Sequence, residues 1–237
     1  PEIFELNEQD KIGFLKSYCN IYLKEEVVAE QLVRKVQPFR NFLELAALQN
    51  AQIINYTKFA RDCGVDVTTI QTYFEILQDT LVGFELQPFH LSIRQRQRKN
   101  PKFYLFDNGV TRALANMLEE KINPKTSSYG KYFEQFIVTE IFRLMRCYEQ
   151  DWKLSYLTTK DQNEIDLIIE KSPRRRIALE IKSSTIVEER EVLAFARLAQ
   201  EIPSTELLFL SQDKVAKKIG QVQCLYWRDA LEQIFKK

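Results

Sequence analysis

The sequence predicts an α+β to α/β chain in two parts: an all-α, winged-helix-type N-terminal part over residues 1–122, then a mixed sheet flanked by helices over residues 128–237. Three observations predict it. Apolar residues recur at helical spacing almost throughout Leu6 to Gln78. A short helix, a glycine and a longer helix are followed by two strand-like runs. Beyond the polar stretch Asn123-Pro124-Lys125-Thr126-Ser127-Ser128, the best linker candidate, short apolar strands alternate with helices.

In the first part, Phe14, Leu15, Tyr18, Cys19, Tyr22 and Leu23 follow the i, i+3, i+4 rule, and Phe39, Phe42, Leu43, Ala46 and Ala47 repeat it. Asn55 or Thr57 can cap a short helix, because a side-chain oxygen there accepts an orphan N–H of the first turn. Gly64 sits where a left-handed residue ends that helix. Asp66 caps a second helix carrying Thr69, Ile70, Tyr73, Phe74 and Leu77, which completes a helix-turn-helix. Leu81 to Leu91 and Phe103 to Phe106 read as the two strands of a wing. Asn108-Gly109 reads as a turn ending the unit, and Leu114 to Leu118 as one more short helix.

In the second part, Tyr132 to Cys147 is an amphipathic helix. Leu154 to Leu157, Ile165 to Glu170 and Ile177 to Ile181 read as strands, and Val187 to Gln200 as a helix. Leu207 to Leu210 and Val222 to Tyr226 are further strands, and Arg228 to Phe235 is a closing helix. Trp152, Trp227 and the phenylalanines are read as core.

Composition bounds the function classes. A hydrophobic fraction of 45% over 237 residues supports real cores, and a net charge of +1 argues neither for nor against a nucleic-acid partner. Cys19, Cys63, Cys147 and Cys224 form no C-x-x-C pair, and with one histidine in the chain a structural zinc site is not expected. They read as small core residues of a reducing compartment. No apolar stretch approaches the ~20 residues that span a bilayer, and no signal peptide opens the chain. The expectation is a cytoplasmic protein with no membrane partner. Pro1-Glu2-Ile3 lacks an initiator methionine and reads as part of a longer protein.

The chemistry sits in two adjacent strands. In Ile177-Ala178-Leu179-Glu180-Ile181-Lys182, alternation puts Glu180 and Lys182 on one face and Leu179 and Ile181 on the other. In Glu164-Ile165-Asp166-Leu167-Ile168-Ile169, Asp166 is an acid in an otherwise apolar run. An antiparallel hairpin across Lys171 to Arg176 lets Asp166 and Glu180 lie side by side. Two carboxylates about 4 Å apart repel unless one holds a proton or a cation intervenes. Mg2+ or Mn2+ suits such oxygen ligands, with Asp166 and Glu180 holding the ion. The ion would lower the pKa of a water and offset charge on a phosphodiester, and Lys182 would orient that water or stabilise the transition state. Glu134 adds a third carboxylate if its helix face meets the sheet. On spacing alone, Glu180, Lys182 and Asp166 can equally form a simple ion-pair cluster at a sheet edge.

Asp166 with Glu180-Ile181-Lys182 resembles the signature of the PD-(D/E)XK nuclease superfamily. Five segments in order, Tyr18-Cys19-Asn20-Ile21-Tyr22-Leu23-Lys24, Lys99 to Gly109, Gly130-Lys131-Tyr132-Phe133-Glu134, Asn163-Glu164-Ile165-Asp166 and Glu180-Ile181-Lys182-Ser183-Ser184, resemble the C-terminal region of a large prokaryotic family of AAA+ ATPases. In that family an ATPase module precedes a winged helix and a nuclease-like domain of unassigned function. The resemblance implies a restriction-endonuclease-like fold and catalytic roles for Glu134, Asp166, Glu180 and Lys182. It also implies the ATPase module of the same protein as a partner. Thr158-Thr159-Lys160 departs from the pattern in having no arginine. No G-x-x-x-x-G-K-[ST] occurs, so this chain is expected to bind no nucleotide.

Arg94, Arg96, Arg98, Lys99 and Lys102 form an acid-free run at the wing, suited to a phosphate backbone or to the ATPase module, or simply to solvent. Arg174, Arg175 and Arg176, with Lys171, form a second cluster at the turn between the two acid-bearing strands, read as lying beside Asp166 and Glu180. Thr68, Thr69, Gln71 and Thr72 form the polar face of the presumed recognition helix. The leading expectation is a nucleic-acid-binding protein, most readily of DNA, with a Mg2+- or Mn2+-dependent endonuclease domain. The alternative is a non-catalytic DNA- or protein-binding module accessory to the ATPase.

Overall fold

Each end of the helix-turn-helix forms where a local hydrogen bond dictates it. In the computed structural model, which describes residues 2–22, 36–90, 99–159, 161, 163–200 and 202–236, Asn55 Oδ1 accepts the Lys58 N–H at 3.0 Å and starts α3 (Tyr56–Cys63). Gly64 then takes φ 67° and closes that helix. Asp66 Oδ1 accepts the Thr69 N–H at 2.8 Å and starts α4 (Val67–Asp79). A Cβ added at Gly64 would meet nothing within 4 Å, so the position demands glycine for its backbone alone. Gly64→Ala is therefore expected to cost about 1–2 kcal/mol of stability, read by urea denaturation.

Contacts divide the chain into two units. Unit 1 is Pro1–Glu85 with Asn100–Lys121, and unit 2 is Leu86–Lys99 with Ile122–Lys237. Unit 1 also contains α1 (Glu8–Ser17), continued by a π turn Tyr18–Tyr22, and α2 (Val36–Leu48). Its core is aromatic: the Phe74 ring lies 4.8 Å from that of Phe42, 5.3 Å from Phe59 and 4.9 Å from Phe103. Strand β2 (Lys102–Leu105) is held by its neighbours, Phe103 O accepting the Ala51 N–H at 2.8 Å and Asn50 Oδ1 accepting the Leu105 N–H at 2.7 Å.

Asn108-Gly109 is not a terminal turn. Asp107 Oδ1 accepts the Val110 N–H at 2.9 Å, so these two residues open helix α5 (Asn108–Leu114), which buries Val110, Thr111 and Leu114. The short helix therefore precedes Leu114 instead of following it. Arg94, Arg96 and Arg98 lie outside the described residues.

Strand β1 (Gly83–Pro88) crosses the division between the units: Gln87 and Pro88, in unit 2, pair in parallel with Ser155 and Tyr156 of β3 (Lys153–Thr158). Strands β4 (Glu164–Ser172) and β5 (Arg175–Ile181) form the expected antiparallel hairpin. Parallel neighbours β6 (Thr205–Ser211) and β8 (Val222–Tyr226) follow. A short strand β7 (Lys217–Ile219), which the apolar pattern does not reveal, pairs antiparallel with β8 around Gly220 at φ 58°.

Helix α6 (Ser127–Cys147) starts earlier than its apolar pattern, because the Thr126 hydroxyl accepts the Tyr129 N–H; it buries Phe133, Ile137, Val138 and Ile141. Helix α7 (Glu189–Ala199) packs Val192 and Phe195 with Ile165, Ile168 and Phe209, and α8 (Trp227–Phe235) buries Ala230, Leu231 and Ile234. Two core expectations are corrected. Trp152 and Trp227 are half-buried, Trp152 stacking on Phe235 with the Lys171 ammonium 4.2 Å over its ring, and Trp227 standing edge-on to Phe136. All four cysteines are free, but Cys147, at the end of α6, is exposed. Among the described residues no helix is long and apolar enough to cross a membrane.

Candidate metal centre

The hairpin brings the acids together. Its register pairs Leu167 with Leu179 and Ile168 with Ala178, so one further step sets Asp166 opposite Glu180. Directly opposed residues share a face, and alternation adds Glu164 on β4 and Lys182 just past β5. Helix α6 packs on β5 and supplies Glu134. One carboxylate oxygen from each of Glu134, Glu164 and Asp166 lies within 4.8 Å of the other two.

The oxygens of this cluster have distinct tasks. Asp166 is buried, and its Oδ2 accepts the Ile181 N–H at 2.7 Å. Lys182 Nζ donates to Glu180 Oε1 at 2.5 Å. Glu180 Oε2 is buried with no hydrogen-bond partner among the described residues. A buried carboxylate oxygen without a donor is costly, and a cation beside it would relieve that cost.

Electrostatics agree. Burial raises the Glu180 carboxyl above its usual range; Lys182 opposes this, and the charges of Glu134 and Glu164 reinforce it. Burial alone would lower the Lys182 ammonium, but Glu180 and Asp166 outweigh it and hold the proton on. Four carboxylates thus face one ammonium. At 4.8 Å a pair of like charges costs about 3 kcal/mol at an effective dielectric of about 20. A divalent cation is the ion this donor set fits: hard oxygens, excess negative charge and a ligand spacing a small ion can bridge.

The four residues singled out from sequence, Glu134, Asp166, Glu180 and Lys182, therefore sit together. The tightest carboxylate group is Glu134 with Glu164 and Asp166, while Glu180 leans to Lys182. Glu164 joins the group beyond those four, and its i, i+2 spacing from Asp166 is the sequence signal for it. The basic clusters are placed differently from expectation. The turn carrying Arg174 and Arg175 lies at the other end of the hairpin: Arg175 precedes Glu180 by five residues, about 16 Å of strand. Arg176 is buried, pairing with Glu170 at 3.4 Å and donating to the Pro203 carbonyl at 3.0 Å, so it is structural. Lys171 donates to the Ile234 carbonyl. At the wing, Lys102 is buried and Lys99 donates to the Thr158 carbonyl at 2.7 Å, so neither is a solvated phosphate contact. Thr68, Gln71 and Thr72 are exposed on α4.

A family model described as a domain of unknown function, DUF8612, matches residues 1–121, and a second, also a domain of unknown function, DUF4143, matches residues 129–230. Uncharacterized proteins of Mycobacterium tuberculosis and Mycobacterium bovis are each 26% identical over 229 residues, covering 94% of this chain and 51% of theirs. The chain thus spans about half the length of these curated relatives.

Proposed function

We propose, for a chain that belongs to the DUF8612 family of domains of unknown function, that unit 2 carries a Mg2+- or Mn2+-dependent phosphodiesterase site acting on nucleic acid, DNA first. One observation carries the reading: Glu134, Glu164 and Asp166 converge within 4.8 Å beside the Glu180–Lys182 pair, whose Oε2 is buried without a donor. The order of these residues, a helix acid, then an acid and acid-any-lysine on adjacent strands, is similar to the PD-(D/E)XK signature. A divalent ion bound there would offset the carboxylate charge, polarise a phosphodiester and ease deprotonation of water.

The protein's own residues do the rest. Glu134, Glu164 and Asp166 supply oxygen ligands, and the Ile181 N–H, donating to Asp166 Oδ2, fixes that carboxylate in place. Lys182 stays protonated and presents positive charge where a phosphate oxygen would gain negative charge in the transition state. Exposed Arg174 and Arg175, about 16 Å along the strand, are suited to phosphates several nucleotides from the cut. Coupling to an ATPase module of the same protein belongs to this proposal, as does a cytoplasmic setting.

A second reading, a non-catalytic module that binds DNA or protein, is favoured by the loss of Arg176, Lys99 and Lys102 to internal contacts. Incubating the purified protein with plasmid and single-stranded DNA in Mn2+ separates the two. Metal-dependent cleavage that falls at least 100-fold in Lys182→Ala is expected, the scale of removing one charge-stabilising donor. Equal products from wild type and variant would discard the catalytic reading.

A further inference from the structure

We infer that Gln212 is a positioning residue for the metal centre, setting the first turn of α6 against the carboxyl ends of β5 and β6; the inference rests on the metal-site reading above. Gln212 follows the last residue of β6. Its backbone N–H donates to the Ser184 carbonyl at 2.9 Å, continuing a ladder in which the Lys182 N–H donates to the Leu210 carbonyl at 2.9 Å. The main chain thus fixes where its side chain begins. From there Nε2 donates to the Ser183 carbonyl at 2.7 Å and to the Tyr129 hydroxyl at 3.1 Å. A single amide ties together β6, the residues that follow Lys182, and the helix that carries Glu134.

The site needs such a tie. The buried stripe of α6 (Phe133, Ile137, Val138, Ile141) presses the helix onto the sheet, but apolar burial is non-directional and sets axial register poorly. A slide of one residue moves a helix by about 1.5 Å, enough to spoil a ligand set. Glu134 is meanwhile repelled by Glu164 and Asp166. At Gly130, in the first turn of α6, an added Cβ would meet only Ser183 Oγ, at 3.6 Å. Two hydrogen bonds from one planar amide supply the direction that packing lacks. Partners that orient metal ligands typically govern 10–100-fold in affinity.

The test is calorimetric titration of Mn2+ into the full chain and into Gln212→Ala, Gln212→Glu and Tyr129→Phe, with melting temperatures taken with and without Mn2+. Gln212→Glu keeps the size and loses the donor. Tyr129→Phe removes one acceptor without shortening a side chain, and it carries the test if Gln212→Ala does not fold. About a 10-fold or greater rise in the Mn2+ dissociation constant is expected for both Gln212 variants, and a smaller rise for Tyr129→Phe. The Mn2+-induced gain in melting temperature should shrink in the same order. Variants that bind Mn2+ as wild type does would overturn the positioning role. Absence of Mn2+ binding in wild type would instead overturn the site reading beneath it.

Discussion

Asp166→Ala is expected to abolish Mn2+ binding and to lower stability by about 1–3 kcal/mol, whereas Asp166→Asn should lose the same binding at close to wild-type stability. The split follows from the two oxygens of Asp166. Oδ2 accepts the Ile181 N–H at 2.7 Å in the buried sheet, so alanine leaves a buried donor unpaired. Asparagine can keep that acceptor while removing the charge. Removing a negative charge that lies within 4.8 Å of two others relieves their repulsion but gives up attraction to the Lys182 ammonium, so the charge effects oppose one another and the retained acceptor decides the difference between asparagine and alanine. Urea denaturation without metal gives the stabilities, and calorimetric titration with Mn2+ gives the binding. Wild-type Mn2+ affinity in Asp166→Asn would remove Asp166 from the ligand set. The pH dependence has a definite sign. Burial holds the Glu180 carboxyl above its unfolded value, so its contribution to stability is complete below the unfolded value of about 4.3 and is lost as pH rises through the raised one. Mn2+ should restore stability on the high-pH side.

Phe74→Ala is expected to destabilise unit 1 by about 3–5 kcal/mol, a large share of the roughly 5–15 kcal/mol that holds a domain together. Phe74 is 1% exposed and fully enclosed. Its ring stands edge-on to Phe42, Tyr56 and Phe59 and tilted on Phe103. These four rings come from three elements other than its own helix, α2, α3 and β2, so local repacking cannot refill the space. Aromatic pairs add about 0.5–1.5 kcal/mol each beyond the area they bury. Denaturant unfolding monitored by helix content checks the figure. A loss below about 1 kcal/mol would mean that the aromatic cluster does not organise this core.

What the residues announce in advance is what they settle locally. Asn55, Gly64 and Asp66 determine the helix-turn-helix through bonds spanning three or four positions, so their order alone reveals it. Asp166, Glu180 and Lys182 are legible because strand alternation and a hairpin leave one register that keeps the apolar residues inside. Glu164 obeys the same alternation. Its role is harder to read because it opens its strand, where an acid is as readily solvent-facing. The misplaced features depend on distant partners. Arg176 and Lys102 look like surface cations, yet Arg176 is buried by Glu170 and the Pro203 carbonyl, and no short-range signal predicts either burial. The turn cluster is far from the acids because a hairpin puts its turn and its open end at opposite extremes. In Asn108-Gly109 the turn signal lost to the Asp107 cap and the buried face of Val110, Thr111 and Leu114. The β7 strand has three residues, two of them lysine, too few to register as a pattern.

The crossing of β1 bears on how this molecule can be dissected. A recombinant piece begun at the polar stretch 123–128 would lack Gln87 and Pro88, which pair with Ser155 and Tyr156, and the Phe89 N–H that reaches the Tyr156 carbonyl. Strand β3 would then display bare amides to other molecules, the usual seed of self-association. Precipitation of such a truncated domain would reflect the site of the cut, and a soluble version calls for a start upstream of residue 86.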